Sequence, residues 1–387
     1  MHLGVLVIWV VTLWYSGPGE VLGADFLRAV IGTICPLMHR FATTQATRRQ
    51  ALVCSIERQK TGHTMKKAIQ HTSHAALGVV LAALAGSALA GAEFGANLEL
   101  DNTARNGGAV AEGDKGLSQT GRIEVGVSAK AGDDMFVAAK TTLLTQKGGG
   151  VVTDDMWVQM GNKGGNVKLG RFEAADLFPL NADTLVNHAG TVYGTNSLRG
   201  RMGSDAFHGT GTINLTDTAS LEVGYIDGTK NAVNTTNAKG LRAVLALGAG
   251  PWSGRVGFES GEYAPVGTAD ANKIKGWGFT TTYDAGSFKL TGNYSLGQQN
   301  AAANNRQTAL GLSASVGALG LGFVNAVNDK AGGEVTVQTA YVAYAMSLFG
   351  VKGATWTPAL SRSTAKDSTT GVTNDENALR VRVRYDF

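Results

Sequence analysis

Cysteine is nearly absent from this chain of 387 residues: Cys35 and Cys54 are the only two. Everything after them must hold together without a disulfide or a thiolate metal site. Histidine is as scarce, because beyond residue 90 only His188 and His208 occur, neither beside a nucleophile motif, which leaves a histidine-dependent enzyme few candidates. Beyond residue 90 no apolar run approaches the roughly 20 residues a membrane helix needs, so a membrane would have to be crossed by strands. A nucleotide fingerprint is missing too, since G-T-G-T-I-N at Gly209 to Asn214 lacks the third glycine and the strand-to-helix setting. No metal-ligand spacing is recognisable; Asp154 and Asp155 could hold Ca²⁺, but solvated surface charge accounts for them, and no cofactor is implied.

The first 90 residues differ from the rest. Met65 begins M-K-K-A-I-Q-H-T-S-H, followed by an apolar run from Ala75 to Leu84 and the small residues G-S-A-L-A-G-A. A positive start, a short apolar centre and an A-x-A site read as a signal peptide over 65–90, cleaved after Ala90 or Ala92. Residues 1–64 then become an upstream extension outside the mature protein; their apolar run, Leu3 to Trp14, is too short to span a bilayer as a helix. Processing removes 8 of the 34 Lys and Arg and 3 of the 30 Asp and Glu, leaving 26 against 27. The formal charge of +4 therefore belongs to the removed part, and no nucleic-acid partner follows from it.

Residues 91–387 are patterned as strands. In the last twelve, E-N-A-L-R-V-R-V-R-Y-D-F, the residues Leu379, Val381, Val383, Tyr385 and Phe387 share one parity, while Arg380, Arg382, Arg384 and Asp386 share the other. One face suits lipid and the other water, and the strand ends on aromatics as at a membrane girdle, with Tyr385 and Phe387 as a terminal barrel signal. Similar alternation recurs in Gly121 to Lys130, Trp252 to Glu259 and Phe288 to Leu296, and less regularly in Leu198 to Leu215 and Gln338 to Met346. Seven short turns, at 131–134, 162–165, 216–219, 248–251, 284–287, 317–320 and 347–350, alternate with eight longer polar segments. The longer ones are 104–117, 146–153, 173–197, 228–240, 261–272, 297–306, 328–333 and 362–375. Fifteen connections give sixteen strands of about 10 residues: an all-β, transmembrane, antiparallel up-and-down barrel whose wet interior is too wide for side chains to fill.

The segment Glu173 to Ser197 follows a very short strand, Asn166 to Phe172, and holds Leu177, Phe178, Leu180, Leu185, Val186 and Tyr193. So many apolar groups predict a loop folded inward. The L-G-R-F leading into it, the R-G-R-M at Arg199 to Met202, the signal peptide and the Y-D-F end together resemble the general diffusion porins of Gram-negative outer membranes, in the branch known from β-proteobacteria. Where many relatives carry a P-E-F-G-G-like segment, this chain has Leu177-Phe178-Pro179-Leu180. The resemblance implies a homotrimer in outer-membrane lipid and lipopolysaccharide that passes small hydrophilic solutes and ions, with the third loop constricting the lumen. It puts Glu173, Asp176 and Asp183 on the acidic side of the neck. Opposite them it puts Arg122, Arg199, Arg201, Arg380, Arg382 and Arg384, joined by Arg171, Arg242 and Arg255. Arg171 shares parity with the outward Val167 and Leu169, so it faces the lumen only where the strand ends or bulges. The three terminal arginines lack an interleaved acid, which predicts weak anion preference. The alternatives are a channel specific for a sugar or an organic acid, and a barrel enzyme.

Overall fold

Alternation with a period of two becomes a closed antiparallel wall. The computed structural model describes residues 91–109, 114–180, 196–201, 206–228, 237–264, 272–299, 305–330 and 332–387. The expected upstream extension, the signal peptide, Asp183 and His188 lie outside the described residues. The first five strands are β1 (Glu93–Asn106), β2 (Gly116–Ala131), β3 (Met135–Gln146), β4 (Val151–Asn162) and β5 (Gly165–Arg171). Beyond the third loop come β6 (Phe207–Thr216), β7 (Ala219–Gly228), β8 (Asn237–Ala249), β9 (Trp252–Ala264), β10 (Asn272–Asp284) and β11 (Phe288–Gln299). The wall is completed by β12 (Asn305–Val316), β13 (Leu319–Lys330), β14 (Gly333–Tyr344), β15 (Met346–Ser347), β16 (Ala354–Asp367) and β17 (Thr373–Asp386). The two-residue β15 continues β14 past Ala345, both pairing with β16, so the wall has sixteen staves.

Each stave pairs with its neighbours in the chain, and β1 pairs with both β2 and β17, so no edge is left to template aggregation. At the seam Ala96 and Phe387 exchange both backbone hydrogen bonds, at 3.2 and 3.0 Å. Burial is inverted relative to a soluble sheet. Leu379, Tyr385, Trp277 and Phe279 are exposed on the outer face, whereas Glu99, Glu259 and Glu376 are buried on the inner one. Apolar groups placed outward in every stave are stable only against hydrocarbon. Aromatic rings gather toward the short-turn end, where Trp252 and Tyr283 lie 4.8 Å apart and Tyr385 and Phe387 lie 5.0 Å apart. Such a girdle suits the membrane interface.

Most strands outrun the roughly ten residues expected and take in part of the polar segments between them. β13 and β14 are separated only by residues 331–332, and Arg362 to Asp367 continue β16. Tilted staves that project beyond the lipid still gain backbone hydrogen bonds, so polar composition does not end them. The last short connection is 348–353 rather than 347–350, because Met346 and Ser347 still pair with Trp356 and Thr355.

One expected strand is not formed as read: Leu198 to Leu215 does not run as a single stave, and β6 begins only at Phe207. The backbone amides of Ser197 and Leu198 donate to the Glu259 carboxylate at 2.9 and 3.1 Å, and Leu198 is buried over Gly240. These bonds hold 197–201 against the wall as the return limb of the loop, which pairs with the outgoing limb at an isolated bridge between Glu173 and Gly200, where Ala174 N donates to Arg199 O at 2.8 Å and Arg201 N to Phe172 O at 3.1 Å.

Candidate functional site

Residues 173–180, the described part of the outgoing limb of the third loop, are bonded to staves of the wall. Its backbone meets a different stave at each step. The amide of Ala175 donates to Glu222 on β7 at 2.9 Å; the carbonyl of Leu177 accepts from Thr280 on β10 at 3.2 Å. Pro179 O accepts from Asn293 on β11 at 2.7 Å, and Leu180 O accepts from the Tyr341 hydroxyl on β14 at 2.8 Å. Backbone groups that would otherwise be buried unpaired are thereby satisfied.

The apolar side chains of this limb explain part of the glycine excess. Leu177 and Phe178 are fully buried. A Cβ added at Gly278 would lie 2.6 Å from the Leu177 Cβ, one at Gly257 2.8 Å from its Cδ2, and one at Gly311 2.9 Å from the Phe178 ring. Glycines on β9, β10 and β12 thus form a groove that admits the loop, and Phe178 ends in a small apolar cluster with Ala309, Val324, Ala326 and Val337.

At the loop root, charges are matched. Arg199 bonds Glu173 at 3.2 Å and Asp176 at 3.3 Å, and its Nε donates to Ala174 O at 3.0 Å. Arg201 bonds Asp154 at 3.0 Å, Asp155 at 3.1 Å and Glu173 at 3.8 Å. Asp154 and Asp155 both reach inward because the β3–β4 register shifts between Thr141 and Leu143. They are therefore not solvated surface acids: Asp155 also takes Lys140 at 3.3 Å. Arg242 is buried beside Glu259 at 3.6 Å and Glu222 at 4.0 Å, and donates to Asn196 at 3.1 Å.

Two expected placements change. Arg199 and Arg201 do not face Glu173 and Asp176 across water but are bonded to them on the same side, since both belong to the return limb. Arg171, at the end of β5, is turned to the backbone, donating to Thr153 O at 2.9 Å and Arg201 O at 2.8 Å.

On the other part of the wall, the three terminal arginines do project inward, but acids stand among them. Arg382 forms two 2.8 Å bonds to Asp101, Arg380 lies 3.6 Å from Asp101, and Arg384 lies 3.3 Å from Glu99. Arg122 joins from β2 at 2.9 Å from Glu99. The expectation of a row without interleaved acid fails because strand register, invisible in one segment, sets Glu99 opposite Arg384 and Asp101 opposite Arg382. Parity within Glu93 to Thr103 already puts Glu99 and Asp101 on one face, the only signal by which they were findable.

Arg255 is different. It is exposed on the inner face of β9, donates to Asp176 O at 3.2 Å, and has Ala246 and Thr280 across and Ser253 and Gly257 along the strand. No carboxylate of the described residues lies within ion-pair distance. Glu222, Glu259, Asn196, Thr280, Asn293 and Tyr341, which anchor the loop, were not singled out by sequence reasoning.

The sequence family of Gram-negative porins matches residues 76–387. No curated protein sequence matches the chain. Among solved structures, the chain is similar to the trimer form of OmpT, an outer membrane protein of Vibrio cholerae, at 12% identity and TM-score 0.59, covering 77% of this chain and 99% of that one. It is similar to the anion-selective porin from Comamonas acidovorans at 15% identity and TM-score 0.56, covering 77% and 99%. Likeness to the outer membrane channel DcaP of Acinetobacter baumannii reaches 13% identity and TM-score 0.57, covering 76% and 97%. At such identities these likenesses speak for the fold. A closed sixteen-stave wall, apolar without and polar within, agrees with the family match, and the chain belongs to the Gram-negative porins, a channel protein of the outer membrane and not an enzyme.

Proposed function

We propose that the protein is a general diffusion channel with weak anion preference, narrowed by its third loop, and that it works as a homotrimer. The observation that carries the reading is the row of bonds from Ala175 to Leu180 to β7, β10, β11 and β14, which supports a third loop folded against the inner wall. No bond is made or broken in transport. Guanidiniums and carboxylates in a narrow aqueous neck order water and favour small hydrophilic solutes over apolar ones.

Support for the sign of the preference comes from pairing. Arg380, Arg382, Arg384 and Arg122 are set against Glu99, Asp101 and Asp386, four cations to three acids, and Arg199 and Arg201 against Glu173, Asp154 and Asp155, two to three, so the two clusters together balance. Such clusters contribute little net field at a distance. Arg255 retains its charge beside the uncharged Thr280, Asn293 and Ser295 of β10 and β11. A passing anion meets a cation there that no acid of the described residues neutralises. The anion-selective porin from Comamonas acidovorans, alike in fold, fits this reading. The trimer form of OmpT likewise fits a threefold assembly. Cleavage after Ala90 or Ala92 yields the mature barrel, with residues 1–64 outside it; intact mass of the outer-membrane form checks both.

The test is reconstitution in planar bilayers under a salt gradient, together with liposome swelling across sugars and organic acids. Stepwise conductance, a reversal potential of the anionic sign and a smooth fall of swelling rate with solute size are expected. Cation preference overturns the sign, and saturation by one solute replaces general diffusion with a specific channel.

A further inference from the structure

An aromatic ring on the wet face of a barrel calls for a reason, and β4 puts a tryptophan there. Met156 and Met160 are exposed on the outer face of this stave, so Trp157 and Gln159 face inward with Asp155. Trp157 is half-exposed, with Lys140 across from it on β3 and Gly170 across on β5. Lys168 of β5, inward between the outward Val167 and Leu169, carries its Nζ 4.1 Å from the centre of the Trp157 ring and 4.4 Å from that of Phe172. Phe172 is buried and stacked on His208 at 4.1 Å, so of the two rings only Trp157 is open to solutes. The place adjoins the root of the third loop, which begins one residue after Phe172.

Lys168 forms no ion pair among the described residues. Asp155 and Glu222, acids of β4 and β7, are engaged elsewhere: Asp155 bonds Lys140 at 3.3 Å and Arg201 at 3.1 Å, while Glu222 accepts from the Ala175 amide at 2.9 Å and lies 4.0 Å from Arg242. A ring attracts an ammonium through its quadrupole and has no net charge, so the two aromatic contacts hold Lys168 in place without cancelling it. A carboxylate does both at once, as Asp101 does to Arg382. The result is a fixed cation that keeps its charge, beside an apolar surface that a solute can touch. Gln159, directly across from Lys168 in β4, adds an amide to the same patch.

We propose that Trp157 and Lys168 form a weak subsite in the channel wall for organic monoanions that carry a planar apolar group, of which aromatic carboxylates are the simplest. The carboxylate lies on the Lys168 ammonium and the ring against the exposed part of the Trp157 indole. The inference rests on the channel reading above, since an anion must enter the lumen, and it adds a ranking among anions. Acetate uses only the ammonium; benzoate uses both halves of the site. At about millimolar affinity such a subsite sorts anions by apolar surface and leaves uncharged solutes sorted by size.

The test uses the assembled protein in detergent, with benzoate and acetate as probes and saturation-transfer NMR as the readout of binding, beside block of the chloride current in planar bilayers. Benzoate is expected to bind roughly fivefold more tightly than acetate, the increment of one aromatic contact. Trp157→Ala removes that increment and leaves acetate binding unchanged, and Trp157→Phe keeps part of it. Lys168→Gln weakens both probes roughly tenfold, as for loss of a charge-assisted hydrogen bond. Trp277→Ala, on the lipid face, changes neither, and Arg255→Gln moves the reversal potential yet keeps the ratio of benzoate to acetate. Equal binding of the two probes by the wild type overturns the proposal, as does wild-type benzoate affinity in Trp157→Ala. Silent bilayers together with the fivefold ratio would uphold the subsite and overturn the channel reading, because the NMR readout does not depend on conductance.

Discussion

Arg382 and Arg255 are both inward arginines in long staves, yet they do opposite things with their charge. Arg382 has Asp101 directly across in β1 and is held by it through two 2.8 Å bonds. Arg255 has Ala246 and Thr280 across, and donates only to a carbonyl oxygen of the loop. The difference lies in the pairing of strands rather than in the residue. A wall can therefore be rich in arginine and nearly neutral in one sector, while a single arginine elsewhere keeps a net charge facing the water.

Experiments can press on this contrast. The largest expected effect is at the matched end of the scale, in Glu259→Ala. That change removes the acceptor of Ser197 N and Leu198 N and leaves Arg242 buried without its nearest acid. A cost of about 3–5 kcal/mol is expected, read as a lower urea midpoint for loss of the heat-modifiable barrel. Unchanged stability would mean that the root of the loop is not held by this pair.

Next is Gly278→Leu, which puts a side chain into the space of Leu177. Overpacking here should cost about 1–3 kcal/mol and shift single-channel conductance, as the limb is displaced from its groove. A variant with wild-type conductance and stability would show that the limb has another resting place.

Selectivity is where the two arginines part. Arg255→Glu should move the reversal potential toward cations. Exchanging Arg382→Gln together with Asp101→Asn removes equal and opposite charges and should leave it where it was. If the double variant moves it more than Arg255→Glu does, the paired row and not Arg255 sets the sign.

The smallest effect belongs to a pair that only looks similar. Lys163 and Asp134 meet at 3.7 Å across neighbouring turns, each more than nine-tenths exposed. Asp134→Ala should alter stability by no more than about 0.5 kcal/mol in the same urea titration.

Much of this was legible in the chain. The parity of Leu379 to Phe387 against Arg380 to Asp386 sets the two faces of the last stave, and short turns alternating with longer connections give the count of sixteen. The Leu198 to Leu215 region was misread because alternation alone cannot show that Glu259, some sixty residues later, captures the amides of 197 and 198. The terminal arginines were read without their acids for the same reason. Glu99 lies 285 residues from Arg384 in the chain and meets it only when the cylinder closes.

By itself the sequence determined which side of the last stave faces lipid, because a slip of one residue would turn Arg380, Arg382 and Arg384 into hydrocarbon at roughly 2–4 kcal/mol apiece near the midplane. It determined, too, that residues after 90 cross a membrane as strands. Only the tertiary structure decided which charges cancel, where the third loop's first limb rests, and which glycines make room for it. Those depend on register between segments far apart in the chain, and register is set by all the staves closing at once.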